Sequence, residues 1–237
     1  TRSGAVWTWG RNSNGQLGDG STTLSKNATV VSAAPAASAI AAGDSHTLLV
    51  KTDGSVWGWG ANGNGQLGDA STTQRTSPAQ MSGVTGAVAV AGGGSHSLVL
   101  LSDGTVKAAG RNTFGALGDG STTQRTSPVS VGTLTGVSAI AAGTYHSYAL
   151  KTDGSAYGWG YNLNGQIGDA TTSTRTSPTQ ITALSGISLI AAGSYAGIAV
   201  SSTGVVYTWG DNAGSQLGDG TSTSRSTPGA ISDTNYV

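Results

Sequence analysis

An all-β fold of stacked four-stranded units, a β-propeller, is predicted by three observations. They are a fixed fifty-residue repeat, a composition of strand and turn formers, and Asp-Gly turns between alternating segments. The stretch VWGWGANGNGQLGD from Val56 to Asp69 is written five times, beginning at Val6, Val56, Val106, Ala156 and Val206. A repeat of this length copies one supersecondary unit, too small to bury its own apolar face and therefore stacked on its neighbours. Units fall at about 1–31, 32–81, 82–131, 132–181 and 182–237 of the 237 residues. Glutamate is absent, all eleven acidic residues are Asp, and Gly numbers 39. Gly, Asn, Asp and Ser favour turns, and Thr, Val, Tyr and Trp favour strands.

In chain order, Val6 to Gly10 alternates residue types at strand spacing, with Trp7 and Trp9 on one face and Thr8 on the other. Gly15 to Gly20 then reads as a glycine-punctuated turn, Ser21 to Thr29 as a polar loop, and Val30-Val31 as a short strand. The equivalent loops place Pro78, Pro128, Pro178 and Pro228 at one phase. Proline there marks a strand start or a sheet edge, because it cannot donate to a central ladder. An Ala-rich strand follows near Ile40, Val90, Ile140 and Ile190, then a second strand from the position of His46. Asp53-Gly54 returns the chain to the Trp strand and is repeated at Asp103-Gly104 and Asp153-Gly154, with Thr203-Gly204 a weaker version. These dipeptides predict type I′ hairpins.

The motif WGxNxxGQLG, a Pro-containing loop, AAGxxHxxAL and DGxVYxWG together resemble the repeat of the regulator of chromosome condensation (RCC1) family, in its bacterial type. The resemblance covers essentially the whole chain. It implies a seven-bladed propeller, within the roughly 4–8 blades such folds use. This chain carries five copies of the Trp strand but four of the Ala-rich strand and of the strand after it. The expectation is an incomplete or open ring, either an excerpt of a longer array or a sheet completed by another molecule, with self-association through open blade edges.

Trp7, Trp9, Trp57, Trp59, Trp159 and Trp209 are read as packing residues rather than an aromatic ligand cage, bulky on one blade face opposite small residues on the other. The third copy has Lys107, Ala108 and Ala109 instead, which predicts a local cavity or a larger side chain filling it from the next blade. His46, His96 and His146 recur at the repeat interval. They are read as structural, bonded to turn backbone, because equivalent positions on successive blades diverge and metal ligands must converge. Asp19, Asp69, Asp119, Asp169 and Asp219 are read as Asx turns, since each loop supplies one carboxylate and a calcium loop needs several. No metal, cofactor or catalytic constellation is expected, and the chain is read as non-enzymatic.

Lys and Arg number 11, equal to the acidic residues, so the basic surface a nucleic-acid binder needs is lacking. No apolar run approaches the ~18 residues of a membrane span, so neither nucleic acid nor membrane is expected as a partner. What differs between copies is more informative. Aromatic and other large residues gather on turns in copies three to five: Arg111, Phe114, Tyr145, Tyr161, Leu163 and Tyr195. Exposed aromatics of this kind mark protein-binding surfaces. The resemblance implies guanine nucleotide exchange in one branch and inhibition of secreted enzymes in some bacterial members. The leading expectation is a protein-binding propeller working through its loop face, extracellular or at the cell surface, with a cytoplasmic protein the alternative. A repetitive spacer or adhesin segment of a large bacterial surface protein and an exchange-factor-like regulator are the competing readings.

Overall fold

The computed structural model describes residues 4–34 and 36–231, and its strands form five antiparallel sheets with no helix among those residues. The first sheet pairs β1 (Trp7–Gly10) with β2 (Ser25–Val30). The second runs in order β3 (Ala37–Ala42), β4 (His46–Lys51), β5 (Val56–Gly60) and β6 (Arg75–Gln80). The third repeats it with β7 (Ala87–Gly92), β8 (His96–Leu101), β9 (Val106–Gly110) and β10 (Arg125–Ser130). The fourth holds β11 (Val137–Ala142), β12 (His146–Lys151), β13 (Ala156–Gly160) and β14 (Arg175–Gln180). The fifth holds β15 (Ile187–Ala192), β16 (Ala196–Ser201), β17 (Val206–Gly210) and β18 (Arg225–Ala230). These are propeller blades with the Ala-rich strand innermost. Packing between sheets runs from β3 and β4 to β7, from β7 and β8 to β11, and from β11 and β12 to β15, and the ring is unclosed. The first copy contributes only the outer half of a blade among the described residues, as the unequal strand count predicts. The expected break before a further Ala-rich strand, at residues 232–237, lies outside the described residues.

Two local expectations are corrected. The Asp-Gly turns are not type I′, because Gly54 has φ +77° while Asp53 is not among the residues with positive φ. Lys51 N–H donates to Ser55 O and Gly54 N–H to Lys51 O, both at 2.9 Å, closing a three-residue loop with its left-handed position on the glycine. The Asp53 carboxylate accepts from the Ser55 amide at 2.9 Å, which fixes the turn without positive φ at the aspartate. The polar loop also ends earlier than expected, because the outer strand already begins at Arg75. Pro78 sits inside this edge strand, within the irregular register between the Gly60–Arg75 and Gly58–Ala79 pairs, where its missing N–H breaks no ladder.

The tryptophans divide by what they pack against among the described residues. Trp59, Trp159 and Trp209 are fully buried, and their indole N–H groups donate to Gln16 O (2.9 Å), Ala116 O (2.8 Å) and Gln166 O (2.9 Å) of the unit before. Each thus ties two blades together. Trp57 is half-buried, its indole N–H on Ser55 Oγ at 3.1 Å and the Lys51 ammonium 5.1 Å from its ring. Trp7 and Trp9 overturn the packing expectation, being 48% and 64% exposed. They border an open cleft of about 370 Å³ that is also lined by Ile40 and His46. Among the described residues β1 pairs only with β2.

Candidate functional site

Shared side chains hold the turn face in place. Asn62 is fully buried in the loop between β5 and β6, and its amide nitrogen reaches Asp69 Oδ1 (2.9 Å), Ser71 O (3.2 Å) and Thr73 O (3.0 Å). Its carbonyl oxygen accepts from Leu67 N–H at 3.0 Å. Asn12, Asn112, Asn162 and Asn212 repeat the arrangement. Asp69 accepts from Ser71 N–H, the expected Asx turn, and also meets Arg75 at 2.7 Å. Burial pushes the Asp69 pKa up, but hydrogen bonds from Ser71, Arg75 and Asn62 outweigh it and hold the carboxyl below its ordinary value. Sequence reasoning missed both Asn62 and Arg75. The signal was there: the asparagine stands in all five copies, the arginine in four.

On this frame, the residue after each WG pair is locked beside the turn of the two inner strands. The N–H groups of Ala61, Arg111, Tyr161 and Asp211 donate to the carbonyls of Ser45, Ser95, Tyr145 and Tyr195 at 2.8, 2.8, 2.9 and 2.9 Å. The backbone is the same in every blade, while the side-chain pair changes from Ser/Ala to Ser/Arg to Tyr/Tyr to Tyr/Asp.

This places the predicted aromatics in one cluster. Phe114 meets Tyr145 and Tyr161 with centroids 5.5 and 4.9 Å apart, crossing from the third blade to the fourth. Tyr195 meets Tyr145 at 6.1 Å and Tyr161 at 6.2 Å, extending the cluster to the fifth. The Arg111 guanidinium lies 5.0 Å from the Tyr145 ring. All four rings are half-buried against one another, and Leu163 beside them is 63% exposed. Burial pushes the Tyr195 phenol up, helped by Tyr145, Tyr161 and the Asp44 and Asp211 carboxylates.

His46 and His96 do not bond turn backbone as expected. His46 Nε2 lies 3.0 Å from Ser97 Oγ, and His96 Nε2 lies 2.9 Å from Ser147 Oγ, so each imidazole binds the next blade. Ser97 and Ser147 in turn donate to Gln66 O (2.6 Å) and Ala116 O (2.9 Å). Gly43, Gly93 and Gly143 make room for the rings, since a Cβ there would stand 2.2 Å from the imidazole Cε1. His146 finds no such hydroxyl, because Gly197 replaces the serine and the Tyr148 hydroxyl, from the same strand as His146, bonds Gln166 O instead. Burial lowers the pKa of His46 to about 4, of His96 to about 3 and of His146 to about 4. Among the described residues no three His, Cys, Asp or Glu side chains are placed to hold one metal ion.

The chain has counterparts among known structures and a known family. It is similar to the crystal structure of human WBSCR16, with 23% identity and a TM-score of 0.87 over 98% of this chain. It spans 63% of the length of that protein. A weaker likeness, with 19% identity, a TM-score of 0.44 and 97% of this chain against 86% of the other, is to Prp20p of Saccharomyces cerevisiae, described with its binding to Gsp1p and histones. Among curated protein sequences there is no match. The sequence matches the RCC1-like domain over residues 1–237, so the chain belongs to the RCC1-like domain family.

Proposed function

We propose that this chain is a protein-binding propeller without catalysis of its own, engaging its partner through the turn face of the third to fifth blades. The observation that carries the reading is the joined cluster of Phe114, Tyr145, Tyr161 and Tyr195, with Arg111 on one ring and Leu163 standing free beside it. Side chains of this kind supply most of the energy at protein interfaces, because they bury large area at low entropic cost. They occupy the positions at which the copies differ, so the blade does not require them. Buried His46 and His96, with Ser97 and Ser147, which a catalytic reading would enlist, are engaged in holding blades together.

Peptide binders selected by display on the whole chain test the reading. Replacing Tyr161 and Tyr195 together by Ala is expected to weaken them at least thirtyfold, since an anchor of this type contributes roughly 2 kcal/mol or more. Circular dichroism and thermal midpoint should stay near those of the parent. Binders indifferent to the double substitution would move the site elsewhere.

A further inference from the structure

The chemistry of the partner is written in the arrangement of the tyrosines and the acids beside them. Tyr145, Tyr161 and Tyr195 form a nearly equilateral triangle, with centroids 6.3, 6.1 and 6.2 Å apart and rings tilted by 70°, 55° and 68° to one another. A point about 3 Å above a triangle of that size lies ~5 Å from all three centroids, within the ~6 Å of a cation–π contact for those rings that turn a face toward it. The Arg111 guanidinium already uses Tyr145 in this way on the third-blade side.

Two carboxylates border the opposite side. Asp211 is tied to Tyr195 by its own N–H at 2.9 Å, and its carboxylate is steadied by Gln216 Nε2 at 2.7 Å. Asp44 is exposed at the mouth of the central opening, in a cleft of about 330 Å³ shared with Gly193 and Ser194, the residues that lead into Tyr195. Both acids are peculiar to their copies: Gly94, Thr144 and Ser194 stand where Asp44 does, and Arg11, Ala61, Arg111 and Tyr161 where Asp211 does. Among the described residues neither carboxylate forms an ion pair with Lys or Arg, whereas the recurring Asp69, Asp119, Asp169 and Asp219 each hold an arginine. Two acids without a basic partner at the rim of three tyrosines make a site for positive charge; Asp211 is held by Gln216 and Ser224, while among the described residues the Asp44 carboxylate has no hydrogen bond within the blade.

Resting on the protein-binding reading of this same face, we propose that the occupant is a lysine or arginine side chain of the partner, its charge over Tyr161 and Tyr195 and countered by Asp44 and Asp211. Phe114 and Leu163 then take an apolar residue flanking it. The surface is thus selective for a basic, partly apolar segment and repels acidic ones, since like charge set against Asp44 and Asp211 is unfavourable.

A randomised peptide library displayed against the whole chain tests this, with each recovered peptide measured on the parent, on Tyr161→Ala/Tyr195→Ala, on Asp44→Asn and on Asp211→Asn. Peptides lost on the tyrosine variant are expected to carry a Lys or Arg whose replacement by Ala weakens binding about tenfold. They should weaken by a similar factor on each Asn variant and with rising salt. Asp44→Asn disturbs no side-chain hydrogen bond of the fold, so it reports charge even if Asp211→Asn loosens the Gln216 contact. Tyrosine-dependent peptides that lack a basic residue and ignore both Asn variants would overturn this inference and leave the protein-binding reading standing. Recovery of no tyrosine-dependent peptide at all would overturn both.

Discussion

Met81 is the single methionine of the chain, and it occupies the space that a tryptophan fills elsewhere. A Cβ on Gly18, Gly118 or Gly168 would meet Trp59, Trp159 or Trp209, whereas on Gly68 it would stand 2.9 Å from Met81 Cγ. The position of Met81 is Val31, Val131 and Ile181 in neighbouring copies, and the absent tryptophan is Ala109. The filling side chain was expected from the next blade; it comes from the preceding one, and a flexible thioether suits an irregular gap. Met81→Val is expected to cost roughly 1–2 kcal/mol through the cavity it opens. Ala109→Trp alone should cost roughly 1–3 kcal/mol through overpacking. Combined, they restore the Val131–Trp159 pairing, so urea denaturation should show the double variant more stable than the sum of the singles by at least ~1 kcal/mol. Simple additivity would mean that the two residues do not share one space.

At the scale of the element, the strands β4, β8 and β12 begin with a buried imidazole, and that makes the blade-to-blade seam sensitive to acid. The folded pKa values of about 4, 3 and 4 for His46, His96 and His146 lie below the 6.5 of an unperturbed side chain. Between those values the unfolded chain binds protons that the folded chain refuses, so stability falls as pH drops from about 6.5 toward 4. The full effect is on the order of 3 kcal/mol per histidine. The Asp groups, whose folded pKa values are also lowered, lose their contribution only at lower pH, so urea midpoints between pH 7 and 5 isolate the imidazoles. His96→Gln should remove about a third of that slope; an unchanged slope would show that His96 titrates equally in both states. The strands themselves were legible in the sequence because alternation and Gly spacing act locally. The His–Ser bonds were not, since each joins residues fifty-one apart and depends on how neighbouring blades stack. The Asp-Gly hairpins illustrate the same limit at short range: the dipeptide announces a turn, but the Ser55 amide on the Asp53 carboxylate decides which one forms.

For the whole molecule, the repeat made the propeller, its copy number and the unclosed ring legible, because a unit that cannot bury its own face must stack on the next. The burial of Trp59, Trp159 and Trp209 follows the same rule, since each indole N–H donates to a carbonyl of the unit before it. Only the turn positions that vary between copies could be read as a candidate site. The pairing of Asp211 with Tyr195 within the fifth blade, and the place of Asp44 of the second blade in the cleft beside Ser194, required coordinates, because residues far apart in sequence are brought together there. The proposed function divides labour along the chain: recurring residues build blades, and copy-specific turn residues are left to recognise a partner. A library of every single substitution, sorted once for folded display and once for binding a selected peptide, measures that division directly. The expected result is that losses of binding without loss of folding gather at Asp44, Arg111, Phe114, Tyr145, Tyr161, Leu163, Tyr195 and Asp211. Such losses gathering instead on the outer strands β6, β10 and β14, or around Trp7 and Trp9, would contradict it.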